Sequence, residues 1–448
     1  MSLTDSSGVP VSSTNRQSVD GLDRALGLFQ GYFNDPLAEI DAVLAADPDF
    51  VMGHCFRAGL FLISSEKAAV PELEATVAEI EKRVKQANSR ERGHLAAAKA
   101  WAAGDYHDAV GRYGDVLAAY PRDAIAMQFA HQCDFLLGQS RMLRDRVAWV
   151  LPHWSKDETT RGFLLGMYAF GLEEMGHYKE AENAARDALD RNPRDAWGVH
   201  ALAHVFEMQG RNAEGIDFLE TTASNWAPGN GLAYHNWWHL ALFYLDRKDF
   251  ARVVELYDRA IHPGPTEVAM ELVDAASMLW RLQLAGHDVG SRWDDVVAVY
   301  EKQTTDGYYA FNDLHAMMAF ASTGRRDAAD RLLSTLARRA GDADSNGRMT
   351  REVGLPACQA FAAFGQGDHD RAIELLRPVR LVANRFGGSH AQRDVLDWTM
   401  VEAALRGGRH GFAEAIANER IARKPESPMA RWFHTRAVTQ AAKIDTAA

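Results

Sequence analysis

Two segments carry paired imidazoles at helical spacing. VHALAHVFEMQGR holds His200 and His204, and AYHNWWHLALFYL holds His235 and His239. Residues four apart share one face of a helix, so each pair turns two rings to one side. Neutral imidazoles so placed form the helical half of many zinc and iron sites, with a carboxylate as further ligand or base. Neither segment is the H-E-x-x-H motif, because Ala201 and Asn236 follow the first His. The metal reading therefore takes His200, His204, His235 and His239 as ligands of a divalent transition metal.

The same residues suit metal-free acid/base chemistry. Imidazole titrates near neutral pH, a neighbouring carboxylate such as Glu207 orients it, and clustered rings keep one another neutral. Trp237 and Trp238 would wall such a site against water. FNDLHAMMAF adds Asp313 and His315 as outer partners in the candidate catalytic set. GGSHAQRDVLDW opens a helix after a Gly pair, and its His390 and Arg393 are candidate substrate-binding residues, Arg393 to neutralise a carboxylate. The plain reading stands beside these. A histidine on an inner helix can be a core residue satisfied by a carbonyl one turn back, and Asp313 and Ser389 can be helix caps.

The elements that must position these groups are helices throughout. Apolar residues recur at three and four, as in YKEAENAARDALDRNP, and no sustained alternation appears. A period is visible in the loops. GDYHDAVGRYGDVLAAYPRD begins at Gly104 and GHYKEAENAARDALDRNPRD at Gly176, 72 residues or two periods of 36 later. Related loop points fall at Gly138, Gly210, Lys248, Gly286, Gly324, Gly367 and Gly408, spaced by 34 to 43 residues. A helix pair of about 34 residues with small residues at the crossing is the tetratricopeptide pattern. One pair cannot bury its own apolar face, so pairs stack and share a core. The expected fold is an all-α, right-handed solenoid of stacked tetratricopeptide-like helix pairs, curled around a concave pocket. Counted back from the loop points, the four histidines fall on one stripe of the inner helices, and neighbouring helices about 8–10 Å apart can share a cavity.

Composition bounds the rest. The chain has 448 residues and a formal charge of −12, which argues against nucleic acid or an anionic membrane as partner. No apolar run reaches the roughly 18–20 residues of a membrane span. Three scattered cysteines (Cys55, Cys133, Cys358) give no disulfide or zinc framework, and a cytoplasmic home is expected. Residues 1–18, polar and without a signal layout, read as a flexible tail, and 19–448 as a single repeat domain.

VHALAHVFEMQGR, YHNWWHLALFYL, FNDLHAMMAF and GGSHAQRDV, in this order, resemble the tetratricopeptide repeat protein 38 family over about residues 20–435. The resemblance implies a helical-repeat fold and points to these segments, without supplying a reaction. Two functions follow. One is a small-molecule enzyme, a hydrolase or other proton-transfer catalyst, with one of His204 or His239 as base and Glu207 orienting it. The other is a scaffold that holds a peptide or partner protein in its concave groove. Inner-face residues Phe163, Met167, Phe170, Trp238 and Trp280 favour a closed apolar pocket over a peptide groove. A homodimer is compatible with either.

Overall fold

Among the described residues the helical periodicity is realised from Arg16 to Asp445. A computed structural model describes residues 3–33 and 35–445, and among these the regular elements are helices, with the isolated bridges Thr4–Pro10 and Phe33–Asn230 besides. Consecutive helices pack as pairs: Ser89–Ala102 on Tyr106–Ala119, Thr159–Glu174 on Tyr178–Arg191, Leu355–Gly365 on His369–Val379. The chain is an all-α solenoid of tetratricopeptide-like pairs. In Tyr178–Arg191 the buried positions are Ala181, Ala185 and Ala188, a small-residue stripe at i, i+4 and i+7 that lets its partner approach closely.

The loop points found from the period share one backbone conformation. Gly104, Gly138, Gly176, Gly210, Gly286, Gly324, Gly367 and Gly408 all have φ between 60° and 83°, and Lys248 has φ 63°. A left-handed residue after a helix satisfies its last carbonyls and reverses the chain, and glycine adopts it without a Cβ penalty.

Two compact units emerge from the packing. The first comprises residues 1–202 and 224–233, the second 203–223 and 234–448. In the first unit, the segment expected as a flexible tail over 1–18 has several described residues packed against the fold and others exposed. Val9 and Val11 are buried, Asp5 lies 2.8 Å from Arg90 and α-helix begins at Arg16. A charged partner far along the chain, together with two apolar side chains, outweighs a composition that reads as a tail. Arg90 also donates to Asp123 through Nε (2.7 Å) and Nη2 (2.9 Å), and His94 completes a buried network with Asp123 at 2.9 Å.

The second unit is built around the helix Ala269–Leu284. Thirteen of its positions are buried, and it packs on Ala310–Thr323 and His390–Arg406. A helix buried all round must satisfy every polar group it carries. Asp274, Ser277 and Arg281 are three such groups, and they shape the candidate site.

Candidate functional site

Within the second unit three histidines meet. His204 comes from Ala196–Met208, and His235 and His239 come from Ala233–Asp246. The ring centroids of His204 and His239 are 4.4 Å apart, and those of His235 and His239 4.9 Å. One ring nitrogen from each of the three lies within 4.8 Å of the others. His204 and His239 are fully buried and His235 is 5% exposed. Tetrahedral zinc with nitrogen ligands at 2.0–2.1 Å needs nitrogens about 3.3 Å apart.

The surroundings orient these rings. Asp274 Oδ2 lies 2.6 Å from Nδ1 of His235, which leaves Nε2 of that ring facing away from the carboxylate. Trp238 lies parallel to His235 at 5.4 Å, and its Nε1 donates to Ser277 Oγ at 3.0 Å. Glu207 Oε2 is 3.8 Å from Nδ1 of His239, while Glu207 Oε1 accepts from Lys424 Nζ at 2.7 Å. Burial disfavours the Lys424 ammonium, but the charges of Glu207 and Asp394 outweigh it and raise its pKa. Burial pulls the Arg281 guanidinium down to about 10. The set combines imidazoles for binding or proton transfer, a carboxylate beside one ring, and a second carboxylate fixing another.

His200 precedes His204 by one turn of the same helix. Within the first unit it packs on Trp197 (centroids 4.6 Å) and Phe170 (5.1 Å).

Several expected partners stand elsewhere. Trp237 lies under Arg259, its ring 5.2 Å from the guanidinium carbon, because residues adjacent on a helix point about 100° apart. Trp238 lies against both His235 and His239. His315 hydrogen-bonds the carbonyl of Phe311 on its own helix at 2.8 Å and packs on that ring, as the plain reading has it. Burial lowers His315 to about 4 and raises Asp313 to about 7. Among the described residues neither contacts the cluster. Arg393 donates to the carbonyls of Gly387 and Gly388 in its own loop, and His390 opens the helix that Ser389 caps.

Sequence reasoning missed Asp274, Arg281 and Lys424. A signal for the first was present: His235 and Asp274 are 39 residues apart, as are Trp238 and Ser277, so both contacts join one register in successive repeats. Nothing local marks Lys424, 217 residues from Glu207.

No family model matches the chain. Among solved structures it is similar to a human IFIT1 dimer with m7Gppp-AAAA, at 14% identity over 96% of both chains, TM-score 0.44. It is also similar to a chain of the APC/C hetero-tetramer Cut9–Hcn1, at 11% identity over 95% of this chain and 97% of that one, TM-score 0.35. Yeast Tom70 matches at 11% identity over 97% of each chain, TM-score 0.33. Likenesses this distant leave the fold to rest on the helix pairs themselves. No helix among the described residues is long and apolar enough to cross a membrane.

Proposed function

We propose that this helical-repeat protein binds a divalent transition metal through His204, His235 and His239, and uses the site for hydrolytic or other proton-transfer chemistry on a small molecule. The carrying observation is the meeting of three buried imidazole nitrogens within 4.8 Å, one of the rings already held by a carboxylate. A ring whose Nδ1 hydrogen is held by a carboxylate offers a more basic Nε2 to a metal. A metal here would lower the pKa of a bound water. Glu207, with its Oε2 accepting no hydrogen bond from a described residue, is the base that would take the proton. In this reading 19–448 is one repeat domain, related to the tetratricopeptide repeat protein 38 family. Three buried free cysteines, Cys55, Cys133 and Cys358, suit a reducing cytoplasm.

The repeat fold itself favours a second reading, a scaffold that binds a peptide or partner protein, because stacked helix pairs present extended surfaces for that purpose. Metal content separates the two. Protein purified without chelator is expected to carry, or take up from zinc or cobalt chloride, one equivalent of metal. His204→Ala and His239→Ala should lose it while keeping helical circular dichroism. Intact protein that takes up neither metal at micromolar concentration would remove the first reading and leave the scaffold.

A further inference from the structure

Beside Glu207 the second unit encloses a cavity of about 30 Å³, lined in part by Glu207, Asp246, Arg281, Asp394, Arg420 and Lys424. A single water needs about 10–15 Å³ of such space, so the cavity admits two water-sized atoms. Its carboxylates are already engaged. Asp394 accepts from Nη1 and Nη2 of Arg420, both at 2.7 Å. Glu207 accepts from Lys424, and Asp246 from Asn212 and Ser427.

The guanidinium donors are not all used. Four arginines are buried among the described residues: Arg90, Arg146, Arg281 and Arg420. Arg90 pairs with Asp5 and Asp123, Arg146 with Asp134, and Arg420 with Asp394. Arg281 differs. It donates only to backbone carbonyls, those of Ser277 (3.1 Å), Ala391 (2.9 Å) and Gln392 (3.3 Å). Its Nε donates to no described residue, and Nε of Arg420 is buried with no hydrogen-bond partner among them. A buried guanidinium ordinarily holds an anion, and its planar fork matches the two oxygens of a carboxylate.

We propose that this cavity is a carboxylate-binding subsite, in which the two oxygens of a small substrate's carboxylate become the counter-ion of Arg281, shared with Arg420. The subsite takes the role that the sequence suggested for Arg393. It names the substrate class for the proposed metal chemistry and rests on that reading for its purpose, though binding itself needs no metal. Arg281 also lies 5.5 Å from the ring of Trp238, so it is held by the residue that stacks on His235.

The test uses full-length protein stripped of metal with EDTA. Sodium acetate, acetamide and sodium chloride are titrated at constant ionic strength, followed by calorimetry and thermal melting. Acetate is expected to bind saturably and raise the melting temperature, while acetamide and chloride do neither. Arg281→Gln should weaken acetate binding by about tenfold or more, and Arg281→Lys, which keeps the charge but loses the fork, by an intermediate factor. Should Arg281→Gln fail to fold, Arg281→Lys and the three-ligand comparison decide. Acetamide or chloride binding as well as acetate would overturn the proposal. So would no acetate binding at all, or a folded Arg281→Gln protein that binds acetate undiminished. Metal uptake without acetate binding sinks the subsite alone, and acetate binding without metal uptake sinks the metal reading alone.

Discussion

Asp274 Oδ2 and His235 Nδ1 are 2.6 Å apart, joined across 39 residues by two successive helix pairs in register. The carboxylate holds Nδ1 of the ring, and a carboxylate in that position tunes how strongly the ring binds a metal. Asp274→Asn is expected to weaken metal affinity by about 10- to 100-fold with the helix content unchanged. Competition with a chromophoric chelator measures it. Equal affinity in the two proteins would leave Asp274 a packing group only.

Asp123 anchors the buried network of the first unit. Burial alone would raise its pKa, but the charges of Arg90 and His94 outweigh burial and hold it well below the usual carboxylate range. A carboxylate depressed in the folded state stabilises the fold fully above its unfolded pKa of about 3.9 and loses that contribution as pH falls through the lower folded value. Asp123→Ala is expected to cost about 3–5 kcal/mol near neutral pH, because Arg90 loses a buried partner. The gap between variant and parent should narrow only below about pH 4. Urea unfolding across the acid range checks both points.

Asp195 behaves in the opposite sense. Its Oδ1 accepts from the amides of Trp197 and Gly198, both at 3.1 Å, and burial raises the carboxyl to about 7. Between the unfolded value near 3.9 and the folded value, the folded state binds the extra proton, so stability falls as pH rises. Asp195→Asn keeps the cap and removes the ionisation. Its stability relative to the parent should rise from about pH 4 to 7 by up to about 1.4 kcal/mol per pH unit. A constant difference across that range would show that Asp195 does not titrate there.

Lys248 holds φ 63° where the other loop points found by the repeat period have glycine. A side chain in the left-handed region costs about 1–2 kcal/mol, partly offset in glycine by greater freedom of the unfolded chain. Lys248→Gly is therefore expected to stabilise the protein by up to about 1 kcal/mol. Thermal melting would read it as a higher midpoint, and a lower one would mean that Lys248 makes a contact worth more than the strain.

The sequence by itself determined the helices, the repeat period and the places where the chain reverses. These follow from neighbours a few residues apart: apolar spacing, small residues at crossings, and glycine where φ is positive. It also determined that His235 and His239 share a helix face, because four residues make about one turn. The stacking of helices decided the rest. Trp237 and Trp238 are adjacent and equivalent in the sequence, yet one lies against Arg259 and the other on His235. The rotation of a helix against its neighbours, which no local spacing encodes, separates them. Asp274 reaches His235 and Arg281 reaches Trp238 from the helix Ala269–Leu284, Lys424 reaches Glu207 from just beyond Arg423, and Asp5, before Arg16, pairs with Arg90 far along the chain. Charged side chains like these read as solvated until folding removes the water, and whether a partner waits at the buried position is a property of the packed molecule alone.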